Sequence, residues 1–357
     1  MDTYPITARS LERYFKVDGR TLQSNYKHHL SNFKKWSQKD HASDWVLLEQ
    51  NIGTRLSIDE TKLCQDLFTI LSNKDGHGKQ GSLIAVVRGT TAADVIEQLM
   101  QIPEDVRMKV EEVTMDFSDS MYSIVTKVFP KATIVIDCFH IMQRAGEALE
   151  EMRLKLKRLA QAEQRKQERQ HKARLKRNAA QRRYYRKRHP KTYKGKKRGR
   201  KAVRANERFR PSLLRNGETN VELLTHVRYA LLKSRNEWTD KQKERMSILF
   251  ELNPRMEKAY NLVNCLRSIF RSRITKEEAS VRLKAWYTEV GNSLIRELIA
   301  ARDAIKYKED EVLNYFINRS TNASAESLNS KMKRFRSQVR GVADLPFFMY
   351  RLCTIFG

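Results

Sequence analysis

The sequence predicts an α/β protein: a mixed sheet followed, before its last functional helix, by a large insertion that is first basic and then all-helical. Three observations predict it. Short runs rich in β-branched and apolar residues are confined to residues 56–136. From residue 219 onward the apolar residues recur at helical spacing. Between the two, residues 151–210 hold 26 Lys or Arg against four Glu, a local net charge of +22.

Residues 1–48 are expected to be helical. A helix over 6–15, a turn at Val17-Asp18-Gly19 and a second helix from Arg20 have helix-turn-helix spacing. Strands are expected at 56–63, 66–72 and 82–89, with residues 73–78 (Asn-Lys-Asp-Gly-His-Gly) suited to a hairpin connection. A helix follows over 92–101, with Val95, Leu99 and Met100 at helical spacing. Next come a strand over 110–116, a helix over 119–129 and a strand over 132–136 that runs into Asp137-Cys138-Phe139-His140. Three sequential strands, then helix, strand, helix, strand, is the order of the ribonuclease H-like fold.

The basic segment starts as a helix, since neither Pro nor Gly occurs over 147–188, but its apolar stripe fades after Leu159. Residues 189–210 contain Pro190, Gly195 and Gly199 among Lys196, Lys197, Arg198, Arg200 and Lys201 and are expected to form a mobile basic loop. Within 219–317, Thr239 with Gln242 has the capping-box pattern, and Asn253-Pro254 ends one helix and starts another. Met256, Ala259, Tyr260, Val263, Leu266 and Phe270 form one stripe, and Leu283, Trp286, Tyr287 and Val290 another; both are expected to be core. Helices near 324–337 and 344–355 close the chain. The expected organisation is thus 1–48, a helical region; 49–145, the first part of the core; 146–218, basic helix and loop; 219–317, helical insertion; and 318–357, helices completing the core.

Charge narrows the partners. Seventy Lys and Arg against 42 Asp and Glu give a net charge of +28, a field that attracts nucleic acid or an anionic membrane surface. Membrane residence is disfavoured, because no apolar run approaches the roughly 18–20 residues a spanning helix needs. The start, Met1-Asp2-Thr3-Tyr4-Pro5, lacks the basic-then-apolar layout of a signal peptide, so the expected location is the cytoplasm, with the nucleoid. Residues 151–210 are expected to hold DNA by its phosphates without reading sequence, with strong salt dependence. Cys64, Cys138, Cys265 and Cys353 form no C-x-x-C pair, so they are expected to be buried small apolar residues, with neither disulfide nor structural zinc.

Three acids stand out. Asp59 lies in Ser57-Ile58-Asp59-Glu60-Thr61, Asp116 ends Val113-Thr114-Met115-Asp116, and Glu326 sits in Ala323-Ser324-Ala325-Glu326-Ser327-Leu328-Asn329. Taken singly, each has a structural explanation, as a strand end, a helix cap and a first-turn acid. Taken together, two strand carboxylates and a distant helix carboxylate are what divalent-metal phosphoryl transfer requires. Two hard cations about 3.5–4 Å apart activate the nucleophile and neutralise the departing oxygen. Mg²⁺ prefers carboxylate oxygens to His or Cys. Three carboxylates in one pocket repel one another without a cation.

These residues carry a family resemblance. Ile58-Asp59-Glu60-Thr61, Val113-Thr114-Met115-Asp116, Ile134-Val135-Ile136-Asp137-Cys138-Phe139-His140 and the run from Ser320 to Lys333 resemble the DDE-type transposases of bacterial insertion sequences, most closely the family called ISL-three. The likeness covers nearly the whole chain. It implies Asp59, Asp116 and Glu326 as a catalytic, metal-binding triad for Mg²⁺, with Mn²⁺ as substitute. It also implies a helical insertion between the last core strand and the Glu326 helix, for which the 210 residues separating Asp116 from Glu326 leave room. Asp137 and His140 fit a [C/D]-x-x-H pattern found after the corresponding strand in several transposase superfamilies, which leaves open a metal role or a supporting one. Lys331, Lys333, Arg334 and Arg336 are candidate phosphate contacts on the Glu326 helix.

The implied reaction is cleavage by water at the ends of the mobile DNA, then attack of the freed 3′-hydroxyl on target DNA, with Asp59 bridging the metals. Double-stranded DNA is the partner, and pairing two ends calls for a homo-oligomer. Relatives often carry an amino-terminal zinc region that this chain lacks, so end recognition falls to residues 1–48 or to a separate companion polypeptide. Two other readings share the fold: a structure-specific nuclease that cleaves without joining, and a non-catalytic nucleic-acid-binding protein.

Overall fold

The structure, a computed structural model, describes residues 1–189, 208–339 and 342–357. Lys196, Lys197, Arg198, Arg200 and Lys201 of the expected basic loop lie outside the described residues.

Six strands form one mixed sheet: β1 (Trp45–Leu47), β2 (Arg55–Leu63), β3 (Asp66–Asn73), β4 (Leu83–Arg88), β5 (Glu112–Met115) and β6 (Thr133–Ile136). Their order is β1-β4-β3-β2-β5-β6. The pairs β1 with β4, β4 with β3 and β3 with β2 are antiparallel, whereas β2 with β5 and β5 with β6 are parallel. This mixed α/β arrangement is compatible with the ribonuclease H-like expectation. It adds one strand to it, because Trp45–Leu47 pairs with β4 at the edge where a helix was expected.

Side chains alternate along each strand, so the sheet has two cores. Leu56 and Ile58 of β2 join Leu71, Ile84, Val113 and Met115 under the helices Ala92–Leu99 and Asp119–Val128. On the opposite face Phe68, Ile70 and Val86 pack with Leu328, Met332 and Phe335 of the helix Ala323–Gln338 and with Leu352 of the helix Leu345–Phe356. Asp59 pairs with Ile70, which puts it on this second face, under the Glu326 helix.

The chain separates into two compact units, Met1–Met142 with Ile269–Lys284 and Ala304–Gly357, and Gln143–Ser268 with Ala285–Asp303. In the first, Tyr26 and Phe33 form an aromatic cluster with Phe347 and Tyr350 of the last helix. Arg351 donates to the carbonyls of Met1 (2.6 Å) and Ile6 (3.1 Å). The two expected amino-terminal helices are Ala8–Phe15 and Gly19–Asn25, capped by Thr7 and Asp18. Gly19 is required at their crossing, since a Cβ there would lie 2.7 Å from the Arg9 Cα.

In the second unit the capping box of Thr239 and Gln242 opens the helix Asp240–Leu252, and Pro254 starts the next immediately after Asn253. Trp238 and Trp286 donate their indole N–H groups to Ala230 and Leu262 carbonyls, 2.8 Å each. Both aromatic stripes are core, as expected.

Two expectations need correction. The long helix begins at Cys138, not near Glu147, and runs to Arg188. Gly146 lies inside it, since a glycine costs a helix only about 1 kcal/mol. Of the four cysteines, all free, only Cys353 is buried; Cys64 and Cys138 are half-buried and Cys265 is exposed. After Arg153 no described residue of the long helix is buried, and residues 154–188 carry 15 Lys or Arg against two Glu.

Candidate active site

The parallel registers place the strand acids. Ser57 of β2 lies opposite Thr114 of β5, and Met115 of β5 opposite Ile136 of β6. Two residues beyond Ser57 and Thr114 are Asp59 and Asp116; one residue beyond Met115 and Ile136 are Asp116 and Asp137. Adjacent strands lie about 4.8 Å apart, so three carboxyl-bearing residues stand in a row across β2, β5 and β6. The backbone N–H of Asp137 donates to the Met115 carbonyl (3.0 Å), extending the pairing to this level.

The side chains then meet. His140 Nε2 is 2.8 Å from Asp116 Oδ1, and the same oxygen accepts from Asn322 Nδ2 at 3.0 Å. Asp59 Oδ2 accepts from Asn329 Nδ2 at 2.5 Å, and its Oδ1 from the Glu60 backbone N–H at 2.7 Å. Burial, followed by the charge of Asp116, pushes the Asp59 carboxyl up to about 6 against these hydrogen bonds. Glu60 is raised for the same two reasons. His140 is raised above its ordinary value chiefly by its hydrogen bond to Asp116, which outweighs burial. Asp137 is buried and caps the first turn of the long helix, accepting from the Phe139 N–H at 3.2 Å. The Phe139 ring, next to His140, is exposed.

Glu326 is in the first turn of its helix, and its N–H donates to the Asn322 carbonyl at 2.9 Å. Asn322, Glu326 and Asn329 follow i, i+4, i+7 and share one helix face. The two asparagines therefore fasten that face to Asp116 and Asp59, with Glu326 between them. The Glu326 side chain itself is exposed. Among the described residues no three His, Cys, Asp or Glu side chains are gathered closely enough to hold a metal ion together. Asp116 is thus joined to His140 and stands beside Asp59 on the neighbouring strand, and Glu326 is brought to the same face by its helix without joining them.

The donor set fits a hard divalent cation. Two neighbouring strand-end carboxylates offer anionic oxygens, and one ionises reluctantly beside the other. The buried carbonyl oxygens of Asn322 and Asn329 have no donor among the described residues.

A second buried network supports the row. Lys74, in the loop after β3, donates to Glu112 (3.2 Å) and Thr114 (2.8 Å), and Glu112 also accepts from Ser320 at 2.5 Å. Burial holds Lys74 below its ordinary value. Burial alone would raise Glu112, but Ser320, Lys74 and Asn318 together hold it below the usual range. The same loop docks on the Glu326 helix: Ser324 donates to the Lys74 carbonyl (3.2 Å) and Lys331 to the Gly78 carbonyl (2.7 Å). Of the four candidate phosphate contacts, Lys331 is tied to that loop and Arg336 is half-buried, whereas Lys333 and Arg334 are exposed. Sequence reasoning missed Lys74, Glu112, Asn322 and Asn329. Only the asparagines left a signal, their helical spacing around Glu326.

A mixed sheet with acids at the ends of neighbouring strands is compatible with the class of ribonuclease H-like transposases. Within that class, the family model of the ISL3 group of DDE transposases, described as "Transposase", matches residues 56–219 and 185–352. The chain belongs to this transposase family, whose members act on DNA in transposition. No curated protein and no solved structure matches it. Among the described residues, no helix is long and apolar enough to cross a membrane.

Proposed function

We propose that this transposase cleaves and transfers DNA strands with Asp59, Asp116 and Glu326 as its cation-holding carboxylates. One observation carries the reading: Asp59 and Asp116 are adjacent, and each is hydrogen-bonded to the helix that bears Glu326. A divalent cation, Mg²⁺ or in its place Mn²⁺, supplies when bound the activation of water or a 3′-hydroxyl and the neutralisation of the leaving oxygen.

The chain's own residues do the rest. Asp59 and Asp116 provide the paired anionic oxygens. His140 and Asn322 fix one oxygen of Asp116 and leave its second for a ligand. Asp137 supports this by capping the turn that carries His140. The insertion returns the chain to the sheet so that Glu326 approaches from the helix side. The exposed basic stretch 154–188, together with Lys333 and Arg334 and the basic residues Lys196–Lys201, provides sequence-blind phosphate contacts to the mobile DNA ends and the target. Two ends are paired by a homo-oligomer, and residues 1–48 or a companion polypeptide recognise them.

The test is cleavage and strand transfer on terminal DNA with Mg²⁺ or Mn²⁺, comparing wild type with Asp116→Ala and Glu326→Gln. Both variants should still bind DNA and lose activity by about 10²-fold or more. Full activity in either would remove that residue from the site. Cleavage without joining by the wild type would favour a resolvase-like nuclease instead.

A further inference from the structure

The helix Ala323–Gln338 meets the two strand carboxylates through two asparagines, both almost fully buried: Asn322 is 0% exposed and Asn329 5%. Asn329 lies inside the helix, where asparagine is a poor former; Asn322 is the N-cap, a favoured place for asparagine, but its side chain makes no capping hydrogen bond and turns to Asp116 instead. A buried amide must satisfy two donors and an acceptor. Each spends an N–H on a carboxylate, at 3.0 Å to Asp116 and 2.5 Å to Asp59, and each leaves its carbonyl oxygen without a donor among the described residues.

We propose that Asn322 and Asn329 are positioning residues, a two-point latch that registers Glu326 over Asp59 and Asp116 before any cation arrives. This inference rests on the functional reading above. A neutral amide suits the task better than the alternatives. Lysine or arginine would hold a carboxylate more strongly but would repel an incoming cation. An apolar residue would pack the helix without orienting the carboxylates.

The latch also leaves coordination capacity intact. Each ionised carboxylate offers about four lone-pair sites. Asn329 and the Glu60 N–H take two on Asp59, and Asn322 and His140 take two on Asp116, which leaves about two on each. Spacing completes the device: Asn322 and Asn329 are two turns apart, and Glu326 lies between them on the same face. The two donorless carbonyl oxygens are acceptors that the water shell of a cation would satisfy.

Mn²⁺ binding to the full chain without DNA, followed by electron paramagnetic resonance, tests the proposal. Proteins compared are wild type, Asn322→Leu, Asn329→Leu and Asp116→Ala. Leucine keeps the volume and removes the donor. Each leucine variant should weaken Mn²⁺ binding by about 10–100-fold, the usual effect of losing a partner that orients a ligand.

Hydrogen exchange over residues 322–332 without metal reads the latch directly. It should accelerate in both asparagine variants and not in a Lys333→Gln control. If leucine prevents folding, Asn329→Ala and Asn322→Ala take its place. Unchanged Mn²⁺ affinity together with unchanged exchange overturns the latch. Absence of Asp116-dependent Mn²⁺ binding in the wild type instead overturns the functional reading, while the exchange data still judge the latch.

Discussion

Replacing Asp59 by Asn should destroy activity and stabilise the metal-free protein. The Asp59 carboxyl is pushed up to about 6 from an ordinary 3.8, by burial and then by Asp116. At about 1.4 kcal/mol per tenfold change in proton affinity, ionising it in the fold costs about 3 kcal/mol. The sign follows from linkage. The folded site holds its proton more tightly than the unfolded chain, so the penalty is absent below about pH 4. It grows as pH rises through 6 and is complete above.

Asparagine removes the charge and keeps an acceptor for Asn329, so at pH 7.5 a net gain of about 1–3 kcal/mol is expected. In a domain of this size that raises the melting temperature by about 2–4 °C per kcal/mol. The assay is calorimetric melting in EDTA at pH 7.5 and pH 5. At pH 5 wild-type Asp59 is already largely protonated and the gain should shrink. With excess Mg²⁺ at pH 7.5 the order should reverse, because only the wild type gains binding energy. A variant less stable than wild type in EDTA, or a gain identical at both pH values, would refute the account of Asp59 as a buried charge beside a like one.

Three further outcomes are expected. The rise in melting temperature that Mg²⁺ gives the wild type should be smaller at pH 5 than at pH 7.5, since the cation must there displace a proton from Asp59; scanning fluorimetry at both pH values checks it. Lys74→Met leaves Glu112 buried without its cation and should cost about 3–5 kcal/mol in urea unfolding, with Glu112→Gln recovering much of it; a loss below about 1 kcal/mol would mean that Ser320 and Asn318 suffice. Changing Arg182, Arg183, Arg186, Lys187 and Arg188 together to Gln should flatten the dependence of DNA affinity on salt, by up to about 0.9 in log–log slope for each phosphate no longer neutralised, and deletion of residues 189–210 should act in the same direction; equal slopes would place the DNA elsewhere.

What was legible in the sequence follows the range over which each signal acts. Strands β2 to β6 announced themselves because alternation and β-branching are properties of a few consecutive residues, and Leu56 and Ile58 declare one face as Ser57 and Asp59 declare the other. The three-residue strand Trp45–Leu47 did not, because its only support is the edge of β4, forty residues on. Gly146 misled in the opposite direction: as a local signal it suggested a boundary, yet a 51-residue helix absorbs one glycine easily.

The same rule divides the site. Asp59 and Asp116 could be placed side by side once strand order was known, since parallel register is arithmetic. Lys74 and Glu112 could not, because an ion pair between a loop lysine and a strand glutamate has no spacing to betray it. Asn322 and Asn329 fall between these cases. Their positions around Glu326 are a helical pattern visible in the sequence, but polar residues on a helix face ordinarily mean solvent. Only the sheet beneath turns that face inward, and with it turns two unremarkable amides into the link between a helix acid and two strand acids.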